Sequence, residues 1–312
     1  MRIINFHSVS KKKGFNLPLR FDKSIFKRFM TKYGKDIKNF RDIDFTSGDV
    51  AVTFDDGYGD FYLNAFQIIR KYEIPCILFV CSNLVGKTIW VEELEEFIKN
   101  TNIKRFYHKD LGDYPLKTYN EKLGAFEDIK TKLKLMNNEE KDGVLQDLKD
   151  MFNIMVKPRN LTWEQLEEID ESGLVDIQSH TANHVILTRT SLENAGREII
   201  EDKETLTRKF RKKIDLFAYP DGMRDSFNQE IMKILRKNNF RYAFTAIPDD
   251  NWEYVNDYEL KRHDVNLLKI DYLIDGIKSF IYGNNKILFA DSNELKENFY
   301  DTDIIKEVLI EK

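Results

Sequence analysis

Short apolar runs alternate with amphipathic stretches along most of this chain, and that alternation sets the expected architecture. Val50-Ala-Val-Thr-Phe54 and Cys76-Ile-Leu-Phe-Val80 are apolar runs without helical spacing, which suits strands covered on both faces. Between them Phe61, Ala65, Ile68 and Ile69 share one helical face, so a helix over about 60–72 joins the two strands in a β-α-β unit. Such units imply parallel strands with helices outside. The same reading predicts a first strand over 2–9, a basic turn at 11–14 and a helix over 21–33. Further strands are expected at 175–179, 214–219, 242–247 and 260–265. Helices should run from a Thr162 cap to Gly173, from a Ser191 cap to about Arg211, and over 226–237 and 270–282.

From Trp90 to Phe152 the alternation breaks into charged amphipathic segments, among them Val91 to Lys99 and Ala125 to Leu135. We read a helical insertion of about 90–158 within one catalytic domain of 1–282, followed by a tail at 283–312. A lid, a partner surface and a solvated excursion are all open for the insertion, whose charges resemble an ordinary wet face.

Composition narrows the partners. With 312 residues and 42% hydrophobic content the chain can fill a sizeable core. A third of it is charged, yet the net charge is only -4, so no basic footprint for nucleic acid is expected. No stretch approaches the roughly 20 apolar residues that span a bilayer. The chain enters a strand-like segment at once, without a basic-then-apolar leader, so the expected location is the cytoplasm. Cys76 and Cys81 lie in one apolar run and are expected as core thiols, neither a disulfide nor a zinc ribbon. Nothing in the sequence indicates an oligomeric state.

Chemistry concentrates where strands end. The 50–54 run stops at Asp55 and Asp56, with Gly57 and Gly59 permitting a tight exit, and parallel α/β folds keep their reactive groups at such carboxyl ends. His180 and His184 leave the end of the 175–179 strand. Two imidazoles and one carboxylate are a common ligand set for a catalytic divalent ion with open positions. Asp55, beside Asp56 but not needed as a ligand, would be free to take a proton from water. His7, near the end of the first strand, reads on its own as a core or edge residue.

Taken in order, Thr53-Phe-Asp-Asp-Gly-Tyr58, Ser179-His-Thr-Ala-Asn-His184 and Phe217-Ala-Tyr-Pro-Asp-Gly222 resemble the polysaccharide deacetylases of the NodB-homology type, carbohydrate esterase family four. The resemblance covers roughly Arg2 to Val265, apart from the insertion. It implies an α/β fold of the distorted (β/α) barrel type and a zinc-like ion held by Asp56, His180 and His184. The same ligands also accept cobalt, nickel or iron. It further implies Asp55 as general base, a substrate and oxyanion region at Tyr219 and Asp221, with a backbone N–H near Asp221 as second donor, and hydrolysis of an N-acetyl, less often O-acetyl, group on a sugar.

Several positions depart from the family pattern. Many members have an Arg and a Tyr where this chain has Ala218 and Asp221. Arg262 could replace the missing Arg by holding Asp55, although an ordinary surface or core-edge ion pair is preferred for it. Many members supply the leaving-group acid from a Leu-x-His motif, and Leu260-Lys-Arg-His263 has one residue too many; a one-residue slip turns a strand side chain to the opposite face. Phe6-His7-Ser8-Val9 is similar to the Tyr/Phe-His-x-Val segment that carries the acid in a circularly permuted branch. His7 is therefore preferred to His263 as the acid, and His108 is expected on the surface. The expected activity is metal-dependent N-deacetylation of a sugar in a glycan or glycoconjugate biosynthetic intermediate. The alternatives are hydrolysis of another non-peptide amide or imide and a catalytically idle carbohydrate-binding protein of the same fold.

Overall fold

The computed structural model describes residues 1–10, 15, 19–252 and 255–265; the turn expected at 11–14, the helix at 270–282 and the tail at 283–312 lie outside the described residues. In chain order the strands and helices are β1 Arg2–Phe6, β2 Ser8–Val9, β3 Arg20–Phe21, α1 Lys23–Tyr33, β4 Val50–Phe54, α2 Phe66–Tyr72 and β5 Cys76–Val80. Then come α3 Trp90–Asn100, β6 Arg105–His108, β7 Gly112–Pro115, α4 Tyr119–Leu135 and α5 Asn138–Phe152. They are followed by α6 Trp163–Glu171, β8 Val175–Ser179, α7 Leu192–Phe210, β9 Leu216–Ala218, α8 Gln229–Lys237, β10 Tyr242–Phe244 and β11 His263–Asp264.

Seven parallel strands form one curled sheet in the order β10-β9-β8-β5-β4-β1-β11. The segment 260–264 touches both edges of it. The Leu260 N–H donates to the Ala243 carbonyl at 2.9 Å and the Thr245 N–H to the Leu260 carbonyl at 2.8 Å, while His263 and Asp264 pair with Ile4 and Asn5 of β1. The sheet thus closes into a distorted seven-stranded barrel. Strand periodicity fills it: Ile3, Ala51, Ile77, Phe79, Leu216, Ala218, Phe244 and Leu260 form one buried cluster. Positions two further along β1 and β4, Asn5, Thr53 and Asp55, continue the inward face towards the carboxyl end.

Local chemistry moves several boundaries from those expected. Asn228 caps α8 by accepting the Ile231 N–H, so that helix starts at 229 rather than 226. Thr162 caps α6 in a capping box with Gln165, as its spacing suggested. β9 is shorter than the expected 214–219, because the Asp215 and Leu216 N–H groups go to the Gln178 side chain instead of a neighbouring strand. Cys76 and Cys81 are both free and buried. No helix among the described residues is long and apolar enough to cross a membrane.

Residues 90–158 pack around a second core, shared with Phe15 and Tyr58, in which Leu94, Phe97, Phe126, Ile129, Leu148 and Phe152 are all buried. The helices stand where amphipathic spacing placed them, but the β6–β7 hairpin was not foreseen. Its four-residue strands are too short for a period-two pattern to stand out. The hairpin also corrects the placement of His108, which is only 5% exposed, with Nε2 3.2 Å from the Asp147 carboxylate of α5.

Candidate active site

The motif residues converge at the carboxyl ends of β4 and β8. Asp56 Oδ1 lies 3.3 Å from His180 Nε2 and 3.1 Å from His184 Nε2. A tetrahedral ion with bonds of about 2.0–2.2 Å sets its ligand atoms roughly 3.3 Å apart, so these separations fit a shared divalent ion. The tautomer of His180 fits as well. Its Nδ1 donates to the Ala218 carbonyl at 2.7 Å, leaving Nε2 to present a lone pair towards Asp56. Among the described residues this is the one group of three or more His, Cys, Asp and Glu side chains close enough to hold a metal. Residue chemistry alone does not select zinc over its neighbours.

The backbone is bent to achieve this. Asp56, Thr181, His184 and Asp221 are all left-handed, with φ of 73°, 64°, 55° and 64°. Each costs about 1 kcal/mol or more in a non-glycine residue, and the β-branched Thr181 is the most unusual of the four. A neighbouring segment fixes the bend after β4. The Gly59 N–H donates to the Arg159 carbonyl at 2.7 Å, the Leu161 N–H to the Gly57 carbonyl at 2.8 Å, and Asn160 Nδ2 to the Asp56 carbonyl at 3.2 Å.

Asp55 points into the barrel, where Arg262 holds it in a two-pronged ion pair: Nη1 to Oδ1 and Nη2 to Oδ2, both 2.7 Å. Asn5 Nδ2 adds a third bond at 3.1 Å. Arg262 is 1% exposed and also donates to the Thr245 carbonyl and to Asn5 Oδ1. This corrects the preferred reading of Arg262 as an ordinary surface or core-edge pair: the side chain lies inside the barrel and spends its donors on the base. Burial works against charge on Asp55, but Arg262 and His180 outweigh it and keep the carboxyl below its usual range. Burial likewise opposes charge on Asp56, which His184 and His180 hold well below that range. For His180 the two aspartates overcome burial and raise its pKa, whereas burial prevails at His184 and lowers it.

His7 faces the same site, with Nε2 4.0 Å from Asp55 Oδ2 and Nδ1 3.6 Å from Asp264 Oδ2. His263 does not. Register sets it opposite Ile4, one position off the inward face, and its Nε2 meets Asp250 at 3.0 Å. The side chain of Tyr219 is taken up by the interior. The ring is 1% exposed, stacks on Phe227 at 4.4 Å, and its hydroxyl donates to the Tyr258 carbonyl. The Asp221 carboxylate accepts from Lys134 of α4 and Ser226, which leaves only its backbone for an oxyanion.

Sequence reasoning missed four supporting residues. Asn5 carried a signal, as a polar residue inside an apolar strand two positions before His7. Asp264 carried a weaker one, two positions after Arg262 and so on the same strand face. Asp202 had none, being one of many acids on a charged helix, yet it is fully buried and accepts from the Ser82 N–H at 2.8 Å, Ser179 Oγ at 2.6 Å and the His180 N–H at 3.0 Å. Burial pushes its carboxyl up to about 7. Lys134 was equally illegible, since only the fold brings α4 to the 219–222 turn.

The family model described as polysaccharide deacetylase matches residues 42–243. The poly-beta-1,6-N-acetyl-D-glucosamine N-deacetylase of Staphylococcus epidermidis is 22% identical over 209 residues, covering 64% of this chain and 49% of that protein. YxkH of Bacillus subtilis, which carries the same family description, is 21% identical over 199 residues, covering 64% of this chain and 45% of its own. The chain therefore spans about half the length of the curated relatives it matches. Among solved structures, IcaB from Ammonifex degensii superposes with a TM-score of 0.58 at 16% identity, covering 90% of this chain and 96% of that one. The Streptococcus pyogenes deacetylase PplD, solved in complex with acetate, gives 0.56 at 16% identity, covering 85% and 91%. At such identity the structural likeness speaks for the fold alone. The family match extends over well more than half of the sequence and takes in Asp55, Asp56, His180 and His184; the chain belongs to the polysaccharide deacetylase family.

Proposed function

We propose that this protein is a metal-dependent N-deacetylase acting on an N-acetylated sugar of a glycan or of a glycan biosynthetic intermediate. The observation that carries the reading is the Asp56-His180-His184 group beside an ionised Asp55 that is not needed as a ligand. A divalent ion held there would act as a Lewis acid towards an acetyl carbonyl and make water easier to deprotonate. The choice of an acetylated glucosamine polymer as first test substrate is supported by the name of the Staphylococcus epidermidis relative.

The chain's own residues divide the remaining work. Asp55 accepts a proton from water as its oxygen adds to the acetyl carbon, and Arg262 and Asn5 hold the carboxylate ionised and fixed in direction. The Asp221 backbone N–H is assigned as a donor to the developing oxyanion. His7, whose Nε2 lies 4.0 Å from Asp55 Oδ2, gives a proton to the sugar nitrogen as the C–N bond breaks, so acetate and a free amine leave. The Asp264 carboxylate faces the other ring nitrogen, Nδ1, at 3.6 Å. His7, Arg262 and Asp264 lie outside the residues matched by the family model.

The test is acetate release by metal-loaded protein from N-acetylglucosamine oligomers and nucleotide-linked N-acetyl sugars. Release is expected, and none from any acetylated sugar would overturn the proposal. His180→Ala or His184→Ala should abolish bound metal measured by elemental analysis; unchanged metal content would mean the ligands are misassigned.

A further inference from the structure

We propose that Lys134, on α4 of the 90–158 region, is a positioning residue for the reaction that acts through Asp221, cancelling the charge of a carboxylate that would otherwise oppose the developing oxyanion. The proposal rests on the deacetylase reading and adds to it that residues 90–158 set the electrostatics of the reacting centre.

Asp221 brings two opposing groups to the 219–222 turn. Its backbone is left-handed, with φ of 64°, and no group among the described residues accepts its N–H, the donor assigned to the oxyanion. Its carboxylate cannot lie far from that N–H, because covalent geometry keeps Cγ within about 4 Å of the backbone nitrogen. Left unpaired, the carboxylate would stand roughly 6 Å from an oxygen that gains negative charge as water adds, and like charges repel. Ser226 Oγ donates to Asp221 Oδ2 at 3.1 Å but brings no charge, whereas Lys134 Nζ donates to Oδ1 and supplies the opposite one. The Asp221 side chain is 17% exposed and that of Lys134 44%, so water screens the pair only in part.

A mechanical tether is the competing role, and the turn does not need one. The Tyr219 N–H donates to the Phe244 carbonyl at 3.0 Å and the Ala246 N–H to the Gly222 carbonyl at 2.9 Å, so both ends of the turn are fixed to the end of β10 and the residues after it. The approach is close: a Cβ at Gly222 would come within 2.6 Å of the Ala246 nitrogen. The turn is therefore held without α4, and a partly exposed ion pair adds little to stability. What Lys134 supplies is charge.

Kinetics of acetate release from N-acetylglucosamine oligomers, with Lys134→Met, Lys134→Arg, Asp221→Asn and the Lys134→Met/Asp221→Asn double variant, separate the two roles. Lys134→Met is expected to lower kcat about tenfold with little change in KM, the effect of one partly screened charge at that distance. Metal content and melting temperature should stay near those of the wild type. Lys134→Arg keeps the charge and should remain well above Lys134→Met. Asp221→Asn removes the offending charge together with the ion pair, so the double variant should recover most of what Lys134→Met loses. A tether predicts the opposite, with the double variant as slow as Lys134→Met. That result, a wild-type kcat in Lys134→Met, or loss of bound metal in it, would overturn the charge role while leaving the deacetylase reading intact. Absence of release by the wild type would overturn that reading itself, and the role of Lys134 with it.

Discussion

Asp55 and Arg262 form a buried pair whose members respond differently to substitution. Arg262→Ala leaves a carboxylate inside the barrel with Asn5 as its remaining side-chain hydrogen-bond donor, and the expected loss is about 3–5 kcal/mol in urea denaturation, with turnover lost as well. Arg262→Lys keeps the charge but not the fork, so it should fold better than the alanine variant and remain slow. Asp55→Asn should retain metal while turnover falls about 10²- to 10⁴-fold, and near-normal rates would remove Asp55 as the base. His7→Ala should cost far more turnover than His263→Ala, since His263 faces Asp250 rather than the site; the reverse order would transfer the acid role. The Asp-Asp and His-x-x-x-His residues were legible because each sits where an apolar run stops. The partner of Asp55 was not, because 207 residues separate it from Arg262 and no local pattern records a contact across a closing barrel.

At the level of elements, what the sequence showed and what it hid follow from apolar character as well as length. Apolar runs such as β4, β5 and the three-residue β9 declare themselves, whereas β3, β6 and β7 are short and rich in polar residues and leave no periodic trace. Helices of the 90–158 region were visible by their apolar spacing, but their contact with the 219–222 turn through Lys134 depends on packing and could not be read locally. The segment at 159–161 is a similar case, since it looks like a linker yet braces the turn that presents Asp56. A side chain at Gly59 would bring Cβ within 2.7 Å of the Arg159 carbonyl oxygen. Gly59→Ala is therefore expected to push the two segments apart, lower stability by about 1–3 kcal/mol, and weaken metal binding in parallel. Thermal melts with and without added zinc would check this, and a variant with wild-type metal affinity would contradict the bracing role.

For the whole molecule, the end of the barrel remote from the site carries its own electrostatic tie. Arg41 bridges Asp176 at 2.8 Å and Asp215 at 2.9 Å, linking β8 to the start of β9. Burial opposes charge on Asp215, but Lys213 and Arg41 prevail and hold its carboxyl below the ordinary aspartate value of 3.8. A depressed folded-state pKa gives stability that is present above the unfolded value and lost as pH falls through the folded one. Arg41→Ala should thus cost about 1–2 kcal/mol at pH 7, and its difference from wild type should shrink below pH 3.8. Denaturation at both ends of that window measures it, and a gap that stays constant with pH would rule the tie out. The overall α/β architecture could be anticipated from β-α-β alternation, while the barrel was expected only from the family resemblance, because one short segment serves both edges. That closure has a kinetic consequence. Because Leu260–Asp264 joins β10 to β1 and carries the partner of Asp55, a growing chain that has not yet produced residue 262 cannot assemble its base, however complete its earlier strands are. Appearance of activity during synthesis or refolding should therefore coincide with the slowest, most non-local step rather than with formation of the first helices.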